Sequence, residues 1–117
     1  MDARPHLGRR GEDLAAEHLA RLGLTVVERN FRCREGEVDI VATGAGVIVF
    51  CEVKTRRTTR FGEPCEAVDA RKQERLRRLA ARWLRERRPG AVDVRFDVVS
   101  IVARGPVPEL VHIADAF

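Results

Sequence analysis

Asp39, Glu52 and Lys54 stand inside runs of β-branched and apolar residues, "VDIVA" and "VIVFCEVKTR", where the pattern asks for core. Side chains alternate along a strand, so Glu52 and Lys54 share one face with Ile48 and Phe50. If "TGAG" (Thr43 to Gly46) is the turn of a hairpin, Ala42 pairs with Val47 and Asp39 with Phe50. Asp39 then lies diagonally beside Glu52 on the same face, and a loop one residue longer or shorter would separate them. Two carboxylates brought together repel, so one takes up a proton unless a cation stands between them. A divalent metal suits such oxygen ligands, magnesium in particular, which takes one or two carboxylates with waters and phosphate oxygens. The chemistry implied is metal-assisted phosphoryl hydrolysis, with Lys54 orienting or deprotonating the attacking water or balancing charge at phosphorus. The competing assignment is structural: Glu52 pairs with Lys54, while Asp39 pairs with Arg95 or caps a turn.

Lysine usage favours the site. Of 22 basic residues, only Lys54 and Lys72 are lysines. Arginine keeps its proton at any useful pH, whereas a desolvated lysine gives it up.

The elements that must position these residues follow from periodicity. Leu14, Ala15, His18, Leu19 and Leu22 form one face of an amphipathic helix, with Gly23 placed for a left-handed cap. Glu12 borders the buried side of that helix, while Asp13 and Glu17 point to solvent. "LTVVERNF" reads as a strand, "RCREG" as a polar connection, and Glu37 to Ala42 and Val47 to about Thr55 as two more strands. "RRTTRFGEPCEAV" is a loop by its charge, Gly62 and Pro64. Asp69 is placed as the N-cap of a second helix that Pro89-Gly90 ends, with an apolar stripe of Leu76, Leu79, Ala80, Trp83 and Leu84. Lys72 and Gln73 sit at the start of that stripe, and its other faces are crowded with arginine. "VDVRFDVVSIV" and "ELVHI" complete the order α-β-β-β-α-β-β. This is an α/β chain with a mixed central sheet flanked by helices.

With 117 residues, 44% hydrophobic and 34% charged, the chain suits one folded domain (1–117). No stretch approaches the roughly 20 apolar residues of a membrane span, and the polar "MDARPHLGRRGED" lacks a signal core. Cys33, Cys51 and Cys65 are odd in number and have no CxxC spacing, so reduced thiols and a cytoplasmic location are expected. His6, His18 and His112 are scattered, against a histidine zinc site. A net charge of +4 with a pI near 9.6 attracts polyanions. With no tyrosine and 5% aromatics, phosphate contact is favoured over base stacking.

The segments "GRRGEDLAAEHLARLGL", "RNFRCREGEVDIVA", "VIVFCEVKTR", "FGEPCEAVDARKQERLRRLAARWL" and "RFDVVSI" together resemble the YraN-like family of small bacterial proteins. These are usually described as predicted endonucleases of the PD-(D/E)XK nuclease superfamily. The resemblance covers nearly the whole chain and implies a restriction-endonuclease-like core, as in Holliday-junction resolvases. By resemblance, Asp39 is the acid of the first half-motif, and Glu52 and Lys54 are the acid and lysine of the second. Glu12 matches the first-helix glutamate that completes the metal site, and Gln73 with Lys72 a helix position facing it. Val38 stands where the superfamily name has proline.

The activity implied is a magnesium- or manganese-dependent nuclease acting on nucleic acid, with DNA the favoured substrate. Asp39 and Glu52 would hold the metal with Glu12 and the carbonyl of Val53, and Lys54 would act on water with Gln73 in support. Arg56, Arg57 and Arg60 would hold flanking phosphates, or simply solvate a loop. The competing classes are a non-catalytic nucleic-acid-binding protein that keeps the fold, and a basic domain that binds an acidic protein. Symmetric cutting of a junction would require a homodimer.

Overall fold

Residues 3–57, 69–103 and 105–117 are described in the computed structural model of the chain, with side chains from residue 9 onward. The elements follow the expected order: α1 (Ala3–Arg21), β1 (Thr25–Cys33), β2 (Gly36–Gly44), β3 (Val47–Arg56), α2 (Ala70–Arg87), β4 (Asp93–Val102) and β5 (Glu109–Ile113). Both expected caps form. Gly23 takes φ +91, and the Leu24 amide closes back on the Leu19 carbonyl at 3.1 Å. The Asp69 carboxylate accepts the Lys72 amide at 2.9 Å, satisfying one of the free donors at the start of α2. At the other end, α2 stops on Arg88 itself, left-handed at φ 48, one residue before Pro89-Gly90.

The five strands form one sheet in the order β1-β2-β3-β4-β5. Neighbours are antiparallel except β3 and β4, whose parallel pairing requires the crossover that α2 supplies. Ala15 and Leu19 of α1 pack on one face over Ile40, Ala42, Val49, Cys51, Val99 and Ile101. Leu76, Leu79, Ala80 and Trp83 of α2 cover the other, over Phe31, Val41, Ile48, Phe50 and Val98. Phe50 meets Trp83 edge to face at 5.7 Å between ring centroids. The strip of β3 continuing past Phe50 on the α2 side is therefore Glu52 and Lys54.

The β2–β3 turn differs from expectation. Ala45 (φ 50) and Gly46 (φ 80) alone make it, so Thr43 and Gly44 stay in the ladder opposite Ile48 and Val47. Two consecutive positive-φ residues match the strand twist of a two-residue hairpin, which is why a four-residue loop is not needed. The register shifts by two: Ala42 pairs with Val49, not Val47, and Val41 takes Phe50. An even shift preserves which side chains share a face, so the hairpin still carries Asp39 to the level of Glu52. β1 also runs further than "LTVVERNF", absorbing Arg32 and Cys33 of the expected connection. From residue 58 the expected loop lies outside the described residues, and Arg60 and Cys65 with it.

Candidate functional site

Asp39 sits where regular β2 pairing fails on both sides. Toward β3 the ladder ends at Ile40–Cys51. Toward β1, Arg29 pairs with Ile40 and Phe31 with Val38, and the intervening Asn30 turns to φ 56. Alternation slips with it: Val38 packs on the α2 side while Ile40 packs on the α1 side. The Asp39 side chain is left directed along the sheet, where its Oδ2 accepts the Val53 amide at 2.7 Å. A carboxylate thus replaces a strand carbonyl at the point where β2 and β3 part. Burial raises its pKa to about 7, against the pull of the Val53 amide, and the nearby charges of Glu52, Glu12 and Glu37 push the same way.

Glu52 lies just beyond on β3, 8% exposed, and is met by both lysines of the chain. Lys72 Nζ stands 2.8 Å from its Oε1 and Lys54 Nζ 3.3 Å from the same atom. The two ammonium groups share one oxygen and differ in consequence. Burial, then the neighbouring Lys72, holds Lys54 below the ordinary lysine range. Burial also opposes charge on Lys72, but its hydrogen bonds to Glu52 and Lys54 outweigh this and raise it. Lys72 is thus the α2 residue that reaches Glu52, and Gln73 follows it on the same turn, partly buried.

From the α1 side comes Glu12. Its Oε1 is buried without a hydrogen-bond partner, with the Arg29 guanidinium no nearer than 3.6 Å. Arg29 instead engages Asp13 at 2.8 Å. Glu12 can sit there because the preceding residue is glycine: a Cβ on Gly11 would collide with the Thr55 hydroxyl of β3. Close approach of α1 to the end of β3 is therefore written into Gly11 and Thr55. Neither residue stands out by its chemistry, although "GRRGED" puts a glycine, an uncommon helix residue, directly before Glu12.

Ser100 is a third residue that sequence reasoning misses. In the parallel register it lies beside Lys54, on the α2 side between Val98 and the strand end, fully buried and with an unpartnered hydroxyl. Its signal is one polar residue inside "VVSIV".

The expected residues therefore gather unevenly. Asp39, Glu52, Lys54 and Lys72 converge; Glu12 approaches from the other side of the sheet; Val53 is present through its amide to Asp39. Arg56 and Arg57 follow on the same strand end, Arg57 exposed. Among the described residues no three Asp, Glu, His or Cys side chains stand close enough to hold a metal ion by themselves. The alternative pairing of Asp39 with Arg95 does not occur, because Arg95 is committed to Asp97. Cys33 and Cys51 are free thiols, and no described helix is long and apolar enough to cross a membrane.

Comparison with known proteins places this arrangement in a family. Residues 11–101 match the model of the uncharacterised protein family UPF0102. The UPF0102 protein of Frankia casuarinae is 54% identical over the whole of both chains. That of Acidothermus cellulolyticus is 52% identical over 94% of this chain and 93% of its own. In Geobacter sulfurreducens the UPF0102 protein is 49% identical, covering 95% of this chain and 88% of the relative. The matched span begins at Gly11 and so includes every described residue of the site but no part of β5. The chain belongs to the UPF0102 family.

Proposed function

We propose that the protein is a divalent-metal-dependent nuclease that hydrolyses phosphodiester bonds, with DNA the favoured substrate, on the nuclease-like core that its sequence resembles. The observation that carries this reading is the gathering of carboxylates around the part-buried Asp39. Glu52, Glu12 and Glu37 all disfavour its ionisation, and Glu12 Oε1 is buried with no hydrogen-bond partner. Such a set of oxygens fits magnesium or manganese, which accept few protein ligands and complete their shell with water and phosphate. Asp39 and Glu52 would hold the ion, with Glu12 reaching it through water. When bound, the ion supplies charge stabilisation at the phosphoryl oxygens and lowers the pKa of water.

The chain's own residues do the rest. The Val53 amide fixes the orientation of Asp39. Lys54, with its affinity for a proton reduced by burial and by Lys72, is suited to take a proton from water or to hand one on. Lys72 keeps its charge and balances Glu52 or an incoming phosphate. Arg56 and Arg57, at the end of β3, and Gln73, in the first turn of α2, would meet flanking phosphates.

A second reading has its own support. Glu52 is already neutralised by two lysines, which suits a protein that binds nucleic acid without cutting it. One experiment separates the two. Plasmid, linear duplex, branched DNA, single strands and RNA are incubated with magnesium, manganese or chelator, beside Asp39→Ala, Glu52→Ala and Lys54→Ala. Metal-dependent cleavage that falls on the order of 100-fold or more in each variant supports the nuclease. Cleavage that survives in Asp39→Ala places the activity elsewhere, and binding without cleavage by the wild type favours the second reading.

A further inference from the structure

Beside the carboxylate site, α2 and the β1–β2 turn enclose a second recess of about 320 Å³, lined by Arg71, Arg75 and Arg78 with Glu35 and Glu74. The three arginines fall at i, i+4 and i+7, on one face of α2. Two of the three, Arg71 and Arg75, are not matched by a carboxylate among the described residues. Glu74 is bound by Arg78 at 2.7 Å, and Glu35 is approached by Arg82 at 3.5 Å. Among the described residues no carboxylate stands within ion-pairing distance of Arg71 or Arg75.

Arg75 also packs against the turn. Its side chain crosses Gly36 of the turn, where φ is +139 and an added Cβ would lie 3.2 Å from the Arg75 Cδ. The glycine leaves room for the arginine stem, so the guanidinium projects into the recess. Arg71 directly precedes Lys72, whose ammonium touches Glu52. The first turn of α2 therefore contributes to both, Lys72 to the carboxylate site and Arg71 to the recess. From Arg71 to Arg78 is roughly 10 Å at about 1.5 Å per residue.

We propose that this recess binds a backbone phosphate of the same nucleic-acid strand that lies at Asp39 and Glu52. The ligand is then a polynucleotide running on past the site, not a mononucleotide or a strand end held only at its terminus. This rests on the nucleic-acid reading above. Arginine suits the task, because its planar fork meets phosphate oxygens in pairs and its charge is permanent.

The test is equilibrium binding of a labelled DNA duplex by fluorescence anisotropy, in chelator, over a series of salt concentrations. Three proteins are compared: wild type, Arg71→Ala/Arg75→Ala, and a charge-matched control, Arg21→Ala/Arg77→Ala, with circular dichroism to verify folding. The recess variant should bind about tenfold more weakly at moderate salt, and its slope of log affinity against log salt should be shallower by about 0.9, as for one phosphate no longer neutralised. The control should shift far less. If the control weakens as much as the recess variant, or the recess variant is unchanged while wild type binds, the recess proposal is overturned and the nucleic-acid reading survives. Failure of wild type to bind any nucleic acid overturns both.

Discussion

Asp97 and Asp39 are carboxylates sunk in the same sheet, on β4 and β2, and their surroundings differ in kind. Asp97 takes both Nε and Nη2 of Arg95 at 2.9 and 2.8 Å, His112 Nε2 at 2.7 Å and the Asp115 amide at 3.0 Å. His112 in turn meets His18 of α1 through Nδ1 and Nε2 at 3.0 Å. Burial alone would raise the Asp97 pKa, but the Arg95 fork, the Asp115 amide and His112 outweigh it and hold the group below the carboxylate range. Asp39 is pushed up to about 7 chiefly by burial, against the Val53 amide, with three acidic neighbours adding to it. One carboxylate is completed by the protein itself. The other has a single backbone donor to set against its burial and its acidic neighbours. Burial of charge is common to both, so it does not distinguish a structural acid from a site; the balance of partners does.

The largest effect should come from breaking the completed side. Asp97→Ala would leave Arg95 and His112 facing a hole and release the turn at Asp115 that pins the end of β5. A loss of about 3 kcal/mol or more in unfolding free energy is expected from chemical denaturation. Magnesium binding per unit of folded protein should be unchanged. A mild stability effect, or a specific loss of metal affinity, would erase the distinction between the two acids.

A smaller effect should follow from disturbing the incomplete side without touching its charge. Gly11→Ala forces α1 away from the Thr55 hydroxyl and carries Glu12 with it. The expected cost is about 1–3 kcal/mol, as for other overpacked sites. Metal affinity should fall with it, and the combination Gly11→Ala/Thr55→Ala, which removes the obstructing hydroxyl, should recover part of both. No recovery would mean that helix position and Glu12 are not coupled through this contact.

The completed side was the less legible of the two in sequence. "RFDVV" showed a charge pair at i, i+2 on one strand face, but nothing in it pointed to His112 or His18, 15 and 79 positions away from Asp97 in the chain. Long-range pairing of that sort is decided by sheet order, which periodicity does not carry. The incomplete side was far more readable, because Asp39, Glu52 and Lys54 interrupt apolar runs within one local hairpin. Even there the turn was misplaced by two residues, and only the even size of the slip preserved the agreement of faces. What periodicity could not express was the break at Asn30 and Asp39, where the backbone leaves the alternating pattern and turns the carboxylate toward Val53. Gly11 was visible as a helix glycine, but its role depends on how closely α1 meets β3, a packing distance absent from any local pattern.

The finest test of the contrast is the pH dependence of stability in metal-free protein. Asp39 has a folded pKa near 7 and an ordinary value of 3.8, so between these the folded chain binds more protons than the unfolded one. Stability contributed by Asp39 is therefore full below 3.8 and lost as pH rises through 7. For Asp97 the sign is reversed: its contribution is present above 3.8 and lost only as pH falls below that value. Between about pH 5 and 8, then, Asp39 should dominate the difference between the two acids. Asp39→Asn keeps an oxygen for the Val53 amide but carries no charge. Its stability should exceed that of wild type at about pH 8 by on the order of 1 kcal/mol, after allowance for partial exposure, and the advantage should shrink as pH falls and vanish only below 3.8. Adding magnesium at about pH 8 should stabilise wild type by mass action and leave the asparagine variant where it was. Parallel curves for the two proteins across that range would show that Asp39 carries no unmet charge, and the case for a cation beside it would fail.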